Sequence, residues 1–206
     1  MRVIFLEGNI GAGKTSLLTM LGEHFGDKVR IVKEPVEVWE KSGLLAECYD
    51  GKVSRATFQH VALATKTAAL AEALRETPAE KLIIAERSPF SDAGVFAEAF
   101  LDEEVEQRAY DVAHYAAMRT LGPLDCSFVF LECASTATLA ERIRTRGRSG
   151  EARIDAGLLA QLETLHTELK EDLQASGHTV VGLDCSGDPE EVFSRALAFI
   201  LARATR

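Results

Sequence analysis

What the 206-residue chain lacks narrows its function first. No apolar run approaches the roughly 20 residues that a membrane-spanning helix requires, and no charged leader precedes an apparent first strand at Arg2. A membrane partner and a cleaved targeting segment are therefore not expected. The four cysteines, Cys48, Cys126, Cys133 and Cys185, form no Cys-x-x-Cys pair and no metal-ligand spacing. That argues against a disulfide framework or a zinc module and for reduced thiols in the cytoplasm. Positive charge is scarce: 23 Lys and Arg stand against 32 Asp and Glu, a net charge of -9. General affinity for nucleic acid or anionic lipid is excluded on that balance, so any polyanion must be met by a local basic cluster. Internal repeats and low-complexity linkers are also missing, so one domain over residues 1–206 is expected.

Against these absences stands a regular alternation. Short β-rich runs at Val3–Leu6, Val29–Val32, Leu82–Ala85, Ser127–Leu131 and Thr179–Leu183 lack polar alternation, as strands do when both faces of a parallel sheet are covered. Helical patterns lie between them at Lys14–Phe25, Arg55–Glu76, Pro89–Phe100, Glu103–Leu121, Thr136–Arg146, Ala156–Ala175 and Pro189–Ala204, the last with Asp188 as its N-cap. Strand–helix alternation of this kind gives an α/β fold with a five-stranded parallel sheet flanked by helices.

Between the first strand and the first helix, "EGNIGAGKTSLL" (7–18) satisfies G-x-x-x-x-G-K-[ST]. The glycines let successive backbone N–H groups of Gly8, Asn9, Ile10, Gly11, Ala12 and Gly13 curl around one anion, and the helix N-terminus from Lys14 to Ser16 adds positive potential. Lys14 is suited to the β- and γ-phosphates of ATP and the Thr15 hydroxyl to Mg²⁺. No N-K-x-D guanine reader is present, nor an apolar run ending in Asp-Glu, so a GTPase switch and an ATPase motor are disfavoured. A small-molecule kinase remains.

A second feature follows the second strand, where "KEPVEVWE" (33–40) puts a carboxylate at the strand tip and an indole five residues on. If that strand lies beside the phosphate-loop strand, Glu34 faces the transferring phosphoryl group and can accept a proton from an attacking hydroxyl. An acceptor that already carries a phosphate would be repelled there. Glu34 could otherwise only cap a helix, and Trp39 could simply pack in a core. A third feature is "ERIRTRGRSGE" (141–151), which sets Arg142, Arg144, Arg146 and Arg148 within seven residues of an acidic chain. Neighbours two apart sit about 200° apart on a helix, so the later ones are expected in a loop. A mobile lid over phosphates, spanning approximately 142–151, is the functional reading; a solvated charge run is the alternative.

These segments, with "EPVEVW" (34–39), "LLAECY" (44–49), "FQ" (58–59) and "ERSPFSDAGVF" (86–96), occur in an order and spacing that resembles the deoxyribonucleoside kinases. That family holds deoxycytidine and deoxyguanosine kinases, mitochondrial thymidine kinase and an insect multisubstrate enzyme. The resemblance runs from Val3 to about Glu171 and implies ATP-Mg²⁺-dependent phosphorylation of a deoxyribonucleoside 5′-hydroxyl. It further implies that Glu34 is the base, that Glu86 helps hold Mg²⁺, and that Arg87 sits near the 5′-oxygen and the phosphates. Tyr49 and Glu151 would take the 3′-hydroxyl, Trp39 would wall the pocket, Gln59 would read the base edge, and Phe58 and Phe96 would stack on the ring. Arg142, Arg146 and Arg148 would contact phosphate. Lys66 and Asp92 fall where deoxycytidine and deoxyguanosine kinases carry Arg and Asp and thymidine-accepting members carry Met and a small residue. The pair therefore favours purine deoxynucleosides or deoxycytidine over thymidine, although Lys lacks the fixed fork of Arg, and Ala93 replaces an arginine common in the family. Family members pair through the helices after Pro89, which implies a homodimer. A nucleoside monophosphate kinase and a catalytically silent nucleotide-binding protein are the competing readings.

Overall fold

The computed structural model describes residues 1–148 and 150–204. Ser149, inside the expected lid, and residues 205 and 206 lie outside the described residues. Strands β1 (Arg2–Gly8), β2 (Val29–Val32), β3 (Leu82–Glu86), β4 (Asp125–Glu132) and β5 (Thr179–Asp184) form one parallel sheet in the order β2-β3-β1-β4-β5. Register places Leu6 opposite both Glu86 and Val129, and Gly8 opposite Leu131, so β1, β3 and β4 end together. The chain leaves β1 for one side of the sheet and later crosses to the other. Such a switch point at the strand C-termini is where open α/β sheets bind ligands.

Side chains of β1 show why the strands lack alternation. Ile4 and Leu6 enter one core with Leu17, Leu18 and Leu21 of α1 (Lys14–Phe25) and Ala196 and Ile200 of α10 (Pro189–Ala204). Val3 and Phe5 enter a second core with Leu70 of α4 (Arg55–Glu76) and Leu162 and Leu169 of α9 (Ala156–Ala175). Both faces are dry, and a polar residue on either would cost its hydration. Helix starts follow the local chemistry: Ser54, Ser135 and Asp155 accept the N3 amides of α4, α8 (Thr136–Arg146) and α9. Asp188 Oδ1 accepts the Glu190 amide at 3.1 Å, as expected for the start of α10.

Two elements differ from the sequence expectation. Residues after Glu34 form two short helices, α2 (Val36–Lys41) and α3 (Leu44–Tyr49), hinged at Gly43. Each holds fewer than two turns, too few for a helical period to register. The expected helix over Pro89–Phe100 comprises α5 (Pro89–Ser91), a π turn (Asp92–Ala97) and α6 (Glu98–Phe100), before α7 (Glu104–Leu121). An inserted π turn of this kind is common at functional sites. No described helix is long and apolar enough to cross a membrane.

Candidate active site

The phosphate loop is built where β1 meets α1. Gly8 has φ +129°, and a Cβ there would stand 2.4 Å from the Leu131 carbonyl, so β4 excludes any side chain at that turn. Residues 10–16 line a cavity of about 770 Å³. Lys14 donates from Nζ to the carbonyls of Gly8 and Asn9, both at 2.8 Å. Burial, reinforced by the Arg87 charge, pulls this ammonium down to about 7. The expectation for Asn9 concerns its backbone N–H; its side chain has a separate role. It is fully buried, donating to Leu159 O at 2.8 Å and to Glu163 Oε2 at 3.0 Å, so it ties the loop to α9 instead of facing the cavity. Thr15 Oγ1 donates to Glu86 Oε1 at 2.7 Å. This hydroxyl–carboxylate pair at the loop supplies hard oxygen donors, which fits a Mg²⁺ ion that keeps its remaining positions for water and phosphate.

Above the loop, four charges converge. Glu34 Oε1 lies 3.4 Å from Arg87 Nε and 3.5 Å from Lys66 Nζ. Burial alone would raise the Glu34 carboxyl, but Arg87 foremost, then Lys66 and Lys14, outweigh it and hold the group below the usual carboxylate range. It is ionised at neutral pH. Lys66 also donates to Asp92. Burial opposes the ammonium, yet Asp92 and Glu34 together hold it charged. Asp92 itself does not line the main cavity; it stands behind Lys66, which does. The sequence placed these two across a nucleobase, whereas the structure makes Lys66 a bridge between Asp92 and the candidate base.

Away from the loop, Trp39, Phe58 and Gln59 form one wall. Trp39 is both core and lining: 4% exposed, edge-on to Phe58 at 5.4 Å, its Nε1 donating to Thr65 Oγ1 at 3.0 Å. Phe96, on the π turn, lies under the Arg87 guanidinium at 4.4 Å. Tyr49 packs close to Gly150, because a Cβ there would be 3.1 Å from its ring. Burial and the nearby Glu151 carboxylate push its phenol above the usual range. Glu151 is buried and accepts two bonds from Arg146 Nη2, at 2.7 and 2.8 Å, with Arg148 Nη1 at 3.6 Å. Helix α8 ends at Arg146, as its sequence pattern predicts: Arg142, Arg144 and Arg146 are helical, and Arg148 lies beyond the helix. Arg142 and Arg146, four apart, line the cavity with Arg148, while Arg144 turns outward onto Glu141. Arg142 Nη2 donates to Cys185 O at 2.8 Å.

A strand-tip carboxylate, a strand-tip Glu-Arg pair, a phosphate loop and three arginines of the segment 142–148 therefore line one cavity. The family model described as "Deoxynucleoside kinase" matches residues 4–198, which is most of the chain. The chain belongs to the deoxynucleoside kinase family. A thymidine kinase of Ictalurid herpesvirus 1 (strain Auburn) is 30% identical to it over 213 residues, covering 99% of this chain and 88% of that protein. Deoxycytidine kinase 2 of Gallus gallus is 29% identical over 194 residues, 81% of this chain and 71% of the relative. A probable deoxycytidine kinase of Fowlpox virus (strain NVSL) is 39% identical over 100 residues, but the aligned stretch spans 48% of this chain and only 40% of the viral protein.

One residue of this deoxynucleoside kinase site escaped the sequence reading. His166 is buried on α9, its Nδ1 2.6 Å from Leu162 O and its Nε2 3.4 Å from Arg87 Nη1. Burial, with the Arg87 charge, pushes the imidazole down to about 3. It is therefore neutral, with Nδ1–H donating to the carbonyl and Nε2 accepting from Arg87. An unfolded histidine binds its proton below about 6.5 and the folded one does not, so stability is fully present above that pH and declines as pH falls. We expect about 2 kcal/mol to be lost between pH 7 and pH 5 from this residue alone. Urea midpoints of wild type and His166→Asn at those two pH values check it: the variant should show that much less acid sensitivity, and equal sensitivity would refute a neutral His166.

Proposed function

We propose that this protein transfers the γ-phosphoryl group of ATP to the 5′-hydroxyl of a deoxyribonucleoside, with purine deoxynucleosides or deoxycytidine favoured over thymidine. The observation that carries this reading is Glu34, an ionised carboxylate 3.4 Å from Arg87 at the edge of a phosphate-loop cavity. A neutral alcohol must lose a proton on attack, and a carboxylate held ready can take it. The buried Lys14 ammonium, which donates to the Gly8 and Asn9 carbonyls, gains from a phosphate further counter-charge against the burial that lowers it. Thr15 and Glu86 would hold Mg²⁺, whose chemistry when bound is to offset charge on the β- and γ-phosphates. Segment 142–151 acts as the lid, with Arg142, Arg146 and Arg148 on the phosphates and Glu151 released toward the 3′-hydroxyl beside Tyr49. The Lys66–Asp92 pair supports the base preference, because Asp92 holds the Lys66 ammonium charged at the cavity wall, and burying a thymine methyl against that charge gains nothing. The relatives' names divide between deoxycytidine and thymidine, so the preference rests on that pair.

The chain acts as a single kinase domain in the cytoplasm, consistent with four unpaired cysteines. A homodimer is supported by α7, which leaves Val105, Val112 and Tyr115 more than half exposed along one side. Labelled ATP offered with each deoxynucleoside and each deoxynucleoside monophosphate tests the reading. Label in monophosphate products supports it. Transfer only to monophosphates, or to no acceptor, overturns it.

A further inference from the structure

Glu7 is fully buried in β1, immediately before the phosphate loop. Its Oε1 accepts the Ser88 amide at 2.8 Å, while its Oε2 has no hydrogen-bond partner. A carboxyl in a dry strand position, half satisfied, is a costly choice where Val or Leu would pack. Its location shows what it accomplishes. Arg87, one residue before Ser88, is the one non-glycine residue with positive φ, +64°, among the described residues. Side chains disfavour that backbone, and it persists only where surroundings over-determine it. Here three consecutive β1 residues hold it. Leu6 O accepts the Arg87 amide at 2.9 Å, Glu7 Oε1 accepts the next amide, and Gly8 O accepts Arg87 Nη1 at 3.1 Å. Released to negative φ, the Cα–Cβ bond would swing and take the guanidinium away from Glu34.

We propose that Glu7 is a positioning residue for phosphoryl transfer, acting through Arg87: its carboxyl oxygen clamps the Ser88 amide and so fixes the left-handed turn that aims the guanidinium at Glu34. The acceptor oxygen does this work, whether the carboxyl is charged or neutral. The inference rests on the kinase reading above for its catalytic consequence, but not for its structural one.

Glu7→Gln retains a carbonyl acceptor, and Glu7→Leu retains volume without one. We expect Glu7→Gln to keep kcat within about 3-fold, and Glu7→Leu to lose about 100-fold in kcat with both KM values little changed and Tm not lowered. In an Arg87→Ala background, Glu7→Leu should cost less than about 3-fold more, because the two act as one unit. A crystal structure of Glu7→Leu should show Arg87 at negative φ and out of reach of Glu34. Should Glu7→Leu not fold, Glu7→Met carries the same comparisons. Equal losses in the Gln and Leu variants, additive losses in the Arg87→Ala background, or an Arg87 that keeps its positive φ would each overturn the clamp. A wild-type protein inactive on every deoxynucleoside would instead sink the kinase reading, with the position of Arg87 in the variant still deciding the clamp.

Discussion

Replacing Glu34 with Gln should lower kcat by about 10³-fold while leaving the nucleoside KM within about 3-fold. The amide keeps the size and the hydrogen-bonding oxygen of the carboxylate but cannot take a proton. Its loss is therefore felt when the 5′-oxygen bonds to phosphorus, not when the nucleoside binds. Lys66 keeps Asp92 as a partner in the variant, and Arg87 keeps Gly8 O and His166, so the site retains its shape. The pH profile adds a second check. Because Arg87, Lys66 and Lys14 outweigh burial and hold Glu34 below the ordinary carboxylate range, wild-type kcat should show no Glu34 limb between pH 7 and about pH 5. Steady-state kinetics across that range decide the matter. A variant within tenfold of wild type would remove Glu34 from the base role.

The place of Glu34 at the cavity was legible because it depends on chemistry tied to strand ends. An apolar run leading to Glu34 or Glu86-Arg87 announces a strand and a polar group at its tip. The strand order was not legible: β2 does not lie beside the phosphate-loop strand β1 as expected, because β3 pairs between them. The strand cores, and helices such as α1 and α4, were readable because burial on two faces or one leaves a period in the sequence. Contacts made across the fold left no such trace. His166 lies on α9 among Leu159, Leu162, Leu169 and Leu173, and its spacing reads as core. Only the three-dimensional packing turns its Nε2 to Arg87. Asn9 sits inside a phosphate motif, yet its side chain serves α9, because motif spacing constrains the backbone and not where each side chain points. Glu7 carries a signal, a carboxylate closing the apolar stretch "VIFL", but the sequence does not show which amide across the fold it accepts. The sequence pairs Lys66 with Asp92, but its second contact, with Glu34, joins α4 to the end of β2 across the fold, which one sequence position cannot show.

Lys66→Met alone should destabilise the fold by about 3 kcal/mol, because it leaves Asp92 buried with its charge unmet. In a domain of this size that corresponds to a fall in Tm of roughly 6 to 12 °C. Adding Asp92→Ala should return most of the loss, since replacing a whole buried pair with apolar groups is often neutral or stabilising where breaking it is not. The same pair of changes should move selectivity. Removing both charges and adding a methionine makes an apolar recess that can take a methyl group, so kcat/KM for thymidine relative to deoxycytidine should rise by about 10²-fold in the double variant. Lys66 also helps hold Glu34 ionised, so both variants should titrate Glu34 at higher pH than wild type, with Arg87 still restraining the rise. Melting curves for the four members of the cycle, with kcat/KM on each deoxynucleoside, test all of this together. Stability losses that simply add would show that Lys66 and Asp92 do not act as a pair, and unchanged selectivity in the double variant would place base discrimination elsewhere, with Gln59 the next residue to change.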